Sequence, residues 1–406
     1  MKKILILLFL FFCGTVGGEE FTSNEITTFV SPDASYAQLK SLIDDAESSM
    51  FVNVYTFDNP YIAGDIIKAE KRGVDVVVLV DKSPVGGISD KEWTILNNLS
   101  GSRVPVYLWQ NPDLGFNHAK YIVVDNSTVL VSTENLGDTG FPMGGATGNR
   151  GWGAIVSGPL ASYFSELFLD DVKSGMELNF SGFSPLVFYP EGRDRGVQFE
   201  PREFKGNYIV SPVVAPNDAV ETILNLIDSA NSSLYIEEFY VYRYWGSKRG
   251  GYGPNPFLES AIDAARRGVE VKILLDSTWY NIEEDDPRSN LKTIEYVNKI
   301  SEDEHINLEA KLVDLKEHGF KKLHVKGMVV DGKAALVSSI NWNEYSPTKN
   351  REVGVVIYGE PAKYFSDVFI SDWGAEKDED NFMNLLLVPI GLVIALILLK
   401  RRKMSW

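Results

Sequence analysis

His118-Ala119-Lys120-Tyr121-Ile122-Val123-Val124-Asp125 and His324-Val325-Lys326-Gly327-Met328-Val329-Val330-Asp331 share one frame, and an Asn follows each at the same distance, Asn135 and Asn341. The chain has four histidines in 406 residues, and two of them fall in this repeated frame. Each copy reads as a strand, a tight turn at Asp125-Asn126 or Asp331-Gly332, and a second strand, because Asp-Gly between apolar runs is a hairpin signal. A two-residue turn would set Lys120 opposite Val131 and His118 opposite Thr133. In the second copy Lys326 would face Val337 and His324 would face Ser339, with Asn135 and Asn341 continuing the same faces.

The repetition extends outward from the hairpins. Leu42 to Phe57 (LIDDAESSMFVNVYTF) returns as Leu226 to Val241 (LIDSANSSLYIEEFYV), and Ala69 to Asp81 (AEKRGVDVVVLVD) returns as Ala264 to Asp276 (AARRGVEVKILLD). Val30-Ser31-Pro32 also finds an echo in Val210-Ser211-Pro212. The spacing between copies grows along the chain, which puts insertions in the second half, chiefly at Tyr240 to Phe257 and Glu283 to Glu304. Apolar residues at helical spacing (Leu39, Leu42, Ile43, Ala46) precede an extended run from Met50 to Phe57. Pro60 to Lys71 is a second helix closed by Gly73, and Val74 to Val80 is an apolar strand. Val- and Ile-rich strands alternating with amphipathic helices predict an α/β fold with covered, mainly parallel sheets. The segment near Gly175 to Asn207 has little periodicity and reads as a linker, with room for a short hairpin.

His, Lys and Asn together suit attack on a phosphodiester. A neutral imidazole is a nucleophile, a second imidazole can protonate the leaving oxygen, Lys places compact charge beside phosphoryl oxygens, and Asn supplies N–H donors. No metal or cofactor is expected, since two imidazoles with two lysines at i+2 would repel a cation, and Cys13 is the sole cysteine. The remaining histidines, His305 and His318, read as solvent-facing.

At the N-terminus Lys2, Lys3 and the apolar run Ile4 to Phe12 read as a signal segment. At the other end Leu385 to Leu399 followed by Lys400, Arg401, Arg402 and Lys403 reads as a single-pass anchor. These two segments predict a cell-membrane protein with its catalytic region outside and its C-terminus in the cytoplasm. The net charge of −17 makes the surface a poor nonspecific partner for nucleic acid or anionic lipid, although a basic pocket could still hold one phosphate.

The doubled frame resembles the phospholipase D superfamily, whose signature is HxKx4Dx6GSxN. The usual Gly is replaced in both copies, by Ser132 before Thr133 and by Ser338 before Ser339. The family's downstream Asn with an acid two residues on is present as Asn350-Arg351-Glu352, but the first half has Asn149-Arg150-Gly151. The resemblance implies two tandem pseudo-symmetric phospholipase D-like α-β-α sandwich domains packed around one active site, spanning 19–175 and 207–380. A signal segment at 1–18, a linker at 176–206, an anchor at 383–399 and a basic tail at 400–406 complete the expected organisation. It further implies metal-independent phosphodiester cleavage through a phosphohistidine, with His118 as nucleophile and His324 as general acid and then base. Lys120, Lys326, Asn135 and Asn341 would hold the phosphoryl group. Asp125, Asp331, Thr133, Ser339, Asn149, Asn350 and Glu352 are supporting residues, Glu352 as the acid that fixes one imidazole. The absent carboxylate at Gly151 either alters the orientation of a histidine or marks a half whose imidazole another acid holds.

The substrate reading stays divided at this point. A phospholipid is favoured, hydrolysed or transferred to a second alcohol, and a secreted nuclease acting on nucleic acid is the rival. A tethered scaffold or adhesion protein without activity is the nonenzymatic alternative. The loop Phe239 to Phe257, with its rings and Arg243, Lys248 and Arg249, suits an interface or single strands equally well. Oligomeric state is left open.

Overall fold

A computed structural model describes residues 18–179, 186, 196–247 and 251–374. The first half contains β1 (Phe21–Ser31), α1 (Ser35–Asp44), β2 (Ser49–Val54), α2 (Pro60–Arg72), β3 (Asp75–Asp81), α3 (Asp90–Gly101), β4 (Val106–Trp109), β5 (Lys120–Val124), β6 (Thr128–Ser132), β7 (Gly151–Ser157), α4 (Leu160–Asp171) and β8 (Gly175–Glu177). The second half repeats the series with β9 (Arg202–Ala215), α5 (Ala219–Asp228), β10 (Ser233–Glu238), β11 (Tyr244–Ser247), β12 (Gly251–Pro254), α6 (Pro256–Arg266), β13 (Glu270–Leu275), α7 (Asn290–Glu304) and β14 (Leu308–Leu312). It continues with α8 (Leu315–His318), β15 (Lys326–Val330), β16 (Ala334–Ser338), α9 (Tyr345–Lys349), β17 (Glu352–Tyr358) and α10 (Glu360–Trp373). Residues up to Phe369 form one compact unit. Of the second unit, Ile370–Trp406, the described part is residues 370–374.

Fifteen strands form one sheet in the order β14-β13-β10-β15-β16-β17-β9-β1-β7-β6-β5-β2-β3-β4-β8, and β11 and β12 pair apart from it. Read outward from the central β9–β1 pair, the two halves give matching series, and β8 is added at one edge. Among the described strands, parallel ladders join β2 to β3, β3 to β4, β10 to β13 and β13 to β14. The mainly parallel sheet predicted from the Val and Ile runs is therefore mixed, because the His-bearing hairpins and the long strands at the junction pair antiparallel. Each half has its own apolar core under its helices, around Leu39, Ile43, Ile62 and Val78 in one and Ile223, Ile262 and Ile273 in the other.

Local chemistry fixes the helix ends. Asn59 caps α2 by accepting from the Tyr61 and Ile62 amides, Pro60 fits the first turn, and Gly73 ends the helix at φ 100°, where a side chain would be strained. The second half uses Asn255 and Pro256 in the same way for α6.

The pairing of copies near the start of each half differs from the sequence reading. Ala34 donates to the Val30 carbonyl and Asp218 to the Val214 carbonyl, so Pro32 matches Pro216 and the Val210-Ser211-Pro212 echo is out of register. Arg202–Asn207, read as the end of a linker, forms the start of β9 and pairs along β1.

The signal segment and the anchor at 383–399 fall outside the described residues, apart from Gly18. A membrane span needs roughly 20 apolar residues in one helix, whereas α7, the longest described helix, has 15 and is studded with charge. Among the described residues no helix is long and apolar enough to cross a membrane. The expectation of a secreted, single-pass membrane protein is corrected on that finding, together with its anchored membrane partner, its external catalytic region and its cytoplasmic tail.

Candidate active site

Both hairpins carry one more turn residue than the sequence reading assumed. Val124 pairs with Thr128 and Val330 with Ala334, so the ladders place Lys120 across from Ser132 and Lys326 across from Ser338. The turn begins at Asp125 and Asn126 with φ of 52° and 53°, and at Asp331 and Gly332 with 53° and 63°. The slip moves Thr133 and Ser339 off the imidazole face. Their hydroxyls instead bind the next strand, at Trp152 N (3.0 Å) and Val353 N (3.0 Å).

Asp125 and Asp331 hold the hairpins to their neighbours and stand away from the histidines. Asp125 accepts from the amides of Glu47, Ser48 and Ser49 at 2.7–2.9 Å, and Asp331 accepts from those of Asn231, Ser232 and Ser233. Partial burial opposes ionisation of both carboxyls, but these donors outweigh it and hold them below the usual range.

The two halves meet where the histidines lie. His118 N donates to Arg351 O and His324 N donates to Arg150 O, each at 2.8 Å, so each imidazole-bearing segment is pinned by the Asn-Arg segment of the opposite half. Arg150 is in turn held by Asp33 at 2.9 Å, and Arg351 by Asp171 at 2.9 Å.

The acids cross over as well. Glu352, fully buried, lies 2.7 Å from His118 Nδ1, while its other oxygen accepts from Ser346 Oγ (2.5 Å) and Asn350 Nδ2 (3.0 Å). In the first half the position equivalent to Glu352 is Gly151, and the carboxylate comes from Glu134, a residue the sequence reading passed over. Glu134 Oε1 lies 3.2 Å from His324 Nδ1, although without the alignment of a hydrogen bond, and its Oε2 accepts from Asn149 Nδ2 at 3.0 Å. A Cβ on Gly151 would stand 2.5 Å from Glu134 Cγ, so Glu134 occupies the space that a side chain at 151 would need. The signal was present in sequence as two coupled departures, an acid inside Ser132-Thr133-Glu134-Asn135 and a missing acid at Gly151.

Lys120 Nζ donates to His118 O at 2.6 Å and Lys326 Nζ to His324 O at 2.7 Å. An aromatic ring lies edge-on to each imidazole, Tyr55 against His118 at 4.7 Å and Phe239 against His324 at 4.9 Å. The same rings sit beneath the lysine ammonium groups at 5.5 and 5.1 Å. Tyr55 was not singled out from sequence, because it falls in an extended run that already explained it, whereas Phe239 opens the ring-bearing loop read as suited to an interface. Asn135 Oδ1 and Asn341 Oδ1 are buried without a hydrogen-bond partner among the described residues.

Burial and mutual repulsion set the charge of the site. Burial lowers the His118 pKa, with Glu352 opposing and Lys120 assisting. His324 is pushed well down by burial and then by Lys326, Lys322, Lys120 and His118, cationic groups drawn from both halves. Burial drives Lys120 well below the ordinary lysine range against the pull of Glu352, and brings Lys326 down to about 7 against Glu134 and Glu238. Glu238, opposite Lys326 in the β10–β15 ladder, is buried, and its carboxyl is pushed well up by desolvation. The first half has Val54 in that place, opposite Lys120.

Trp152 and Trp342, which follow site segments, are core residues, 0% and 1% exposed. His305 ends α7, and His318 stacks on Phe320 at 5.4 Å.

The family described as cardiolipin synthase, PLD-like domain, matches residues 39–171 and 223–373. The cardiolipin synthase of Clostridium perfringens is 24% identical over 366 residues, covering 86% of this chain and 70% of the relative. Cardiolipin synthase 2 of Staphylococcus epidermidis is 23% identical over 375 residues, covering 86% and 68%. Among solved structures, phosphatidylserine synthase of Haemophilus influenzae superposes with a TM-score of 0.55 over 84% of both chains at 16% identity, a likeness of fold.

Proposed function

The chain belongs to the cardiolipin synthase, PLD-like domain family and is a phosphodiesterase of the HKD type, and from that membership we propose that it acts on phospholipids, by hydrolysis or by transfer to a second alcohol. The names of the relatives point to phospholipid chemistry, and the crossed pairing of each imidazole with an acid of the other half is the observation that carries the mechanism.

In this mechanism a phosphodiester binds with its nonbridging oxygens between Lys120 and Lys326, and the Nδ2 groups of Asn135 and Asn341, whose Oδ1 atoms have no hydrogen-bond partner among the described residues, donate to it. Glu352 holds the proton of His118 on Nδ1, which leaves the Nε2 lone pair free to attack phosphorus. The P–N bond forms as the P–O bond to the alcohol breaks, and His324, whose protonated form the negative charge of the bound phosphodiester and Glu134 favour against burial, gives its proton to the departing oxygen. His324 then removes a proton from water or from a second alcohol. That oxygen attacks phosphorus, the P–N bond breaks, and His118 is restored. General acid–base steps of this type contribute roughly 10²- to 10⁴-fold in rate.

The test is to incubate the purified protein, in chelator, with phosphatidylcholine, cardiolipin, single-stranded DNA and a soluble aryl phosphodiester. Release of headgroup or phosphatidic acid supports the proposal. Shortened DNA with intact lipid would select a nuclease.

A further inference from the structure

The loops that follow β3 and β13 are equivalents under the pseudo-symmetry, since Asp81 accepts from Asn117 N (2.6 Å) and Asp276 from Leu323 N (2.8 Å), the residues just before the two site histidines. Both loops end in exposed apolar side chains. Val85 is 80% exposed and Trp279 is 73% exposed, in a protein whose other apolar groups of this size are mostly covered. One tip is a single ring removed from an imidazole, and the other is two. Val85 N donates to the Tyr55 hydroxyl, and Tyr55 lies on His118; Trp279 adjoins Tyr280, which meets Phe239 at 6.2 Å, and Phe239 lies on His324. A third exposed side chain, Tyr345, sits close enough to Gly115 that a Cβ there would stand 2.7 Å from it, and Gly115 leads into the His118 segment. Apolar tips thus stand on both sides of one polar, charged site.

We propose that Val85 and Trp279, with Tyr345 beside the His118 segment, form a docking surface that seats the site on the face of a phospholipid bilayer made of neutral or zwitterionic lipid. The inference rests on the phospholipid reading above. Charge selects among occupants: the net charge of −17 disfavours a strongly anionic face, so the surface works by burying apolar tips. Nucleic acid fits less well, because Val85 offers a base no ring to stack on and the chain as a whole repels phosphate. A second copy of the chain seated on these tips would cover the entrance to the site. Trp at such a position suits the boundary between headgroups and acyl chains.

The experiment compares the parent protein with the double variant Val85→Ser, Trp279→Ser. Co-sedimentation with phosphatidylcholine vesicles and turnover of those vesicles are measured, alongside turnover of a soluble aryl phosphodiester. The expected result is at least a ten-fold loss of vesicle partitioning with a matching loss on vesicles, little change with added salt, and unchanged turnover of the soluble substrate. Equal partitioning of parent and variant would overturn the proposal, as would an equal loss on the soluble substrate. If the parent binds vesicles through these tips yet cleaves no lipid, the phospholipid reading fails while the docking surface stands.

Discussion

The exchange of an acid between two positions, Glu134 present where Gly151 lacks one, can be reversed by mutation. Glu134→Gln removes the charge beside His324. A hydrogen bond to a charged group contributes about 1.5–3 kcal/mol, which at about 1.36 kcal/mol per decade is a loss of roughly 10- to 100-fold in kcat. The 3.2 Å, unaligned approach of Glu134 places its effect toward the low end, and the aligned 2.7 Å contact of Glu352 with His118 places Glu352→Gln toward the high end. Gly151→Glu alone should overpack, since its Cβ meets Glu134 Cγ at 2.5 Å, and should cost about 1–3 kcal/mol of stability. The double variant Glu134→Ala, Gly151→Glu opens that space and supplies a carboxylate at the site equivalent to Glu352. Asn149 stands ready to hold it as Asn350 holds Glu352. Turnover of a soluble aryl phosphodiester should therefore recover by about ten-fold over Glu134→Ala, with thermal unfolding confirming that each variant folds. Full activity in Glu134→Gln, or a folded double variant no better than Glu134→Ala, would refute the argument that this acid serves His324.

Three other outcomes follow from the same geometry. Lys326 is pushed down to about 7 by burial, so it is charged below that pH and neutral above it, and kcat/KM should fall as pH rises through about 7. Lys120→Met should lower kcat by roughly 10²- to 10³-fold by removing charge stabilisation of the phosphoryl oxygens, measured on the same soluble substrate. Asp125→Ala should destabilise the fold by about 1–2 kcal/mol in denaturant titration, because its amide donors at Glu47, Ser48 and Ser49 lose their acceptor at a partly exposed site, with kcat little changed.

The fold was legible where the sequence carries strong local signals. Asn59-Pro60 and Gly73 mark α2, and the repeated Leu42 to Phe57 segment announces two like halves. The one-residue slip in the hairpins was not legible, because two and three turn residues fit the same Asp-Asn and Asp-Gly signals, and only backbone pairing separates them. The histidines, lysines and asparagines stood out through duplication. Glu134 did not, because it has no equal in the second half, where Ile340 takes its place. Tyr55 was hidden for a different reason: a ring in an apolar run looks like core until the strand end is seen to lie under an imidazole, while Phe239 was noticed only as part of a ring-bearing loop. Hydropathy at the ends of the chain suggested a membrane topology that the described helices do not carry, and those ends lie outside the described residues apart from Gly18.

The central claim is that both halves serve one phosphorus atom, with His118 taking the phosphoryl group and His324 handling protons. Rapid quenching of variants supplied with a phosphorus-labelled aryl phosphodiester tests it most directly, because an aryl oxide leaves without needing an acid. His324→Asn should accumulate acid-labile, base-stable label mapped to His118, and His118→Asn should accumulate none. Label on His324 in the His118→Asn variant, at a rate like that of the parent, would show two sites working independently and would contradict the account.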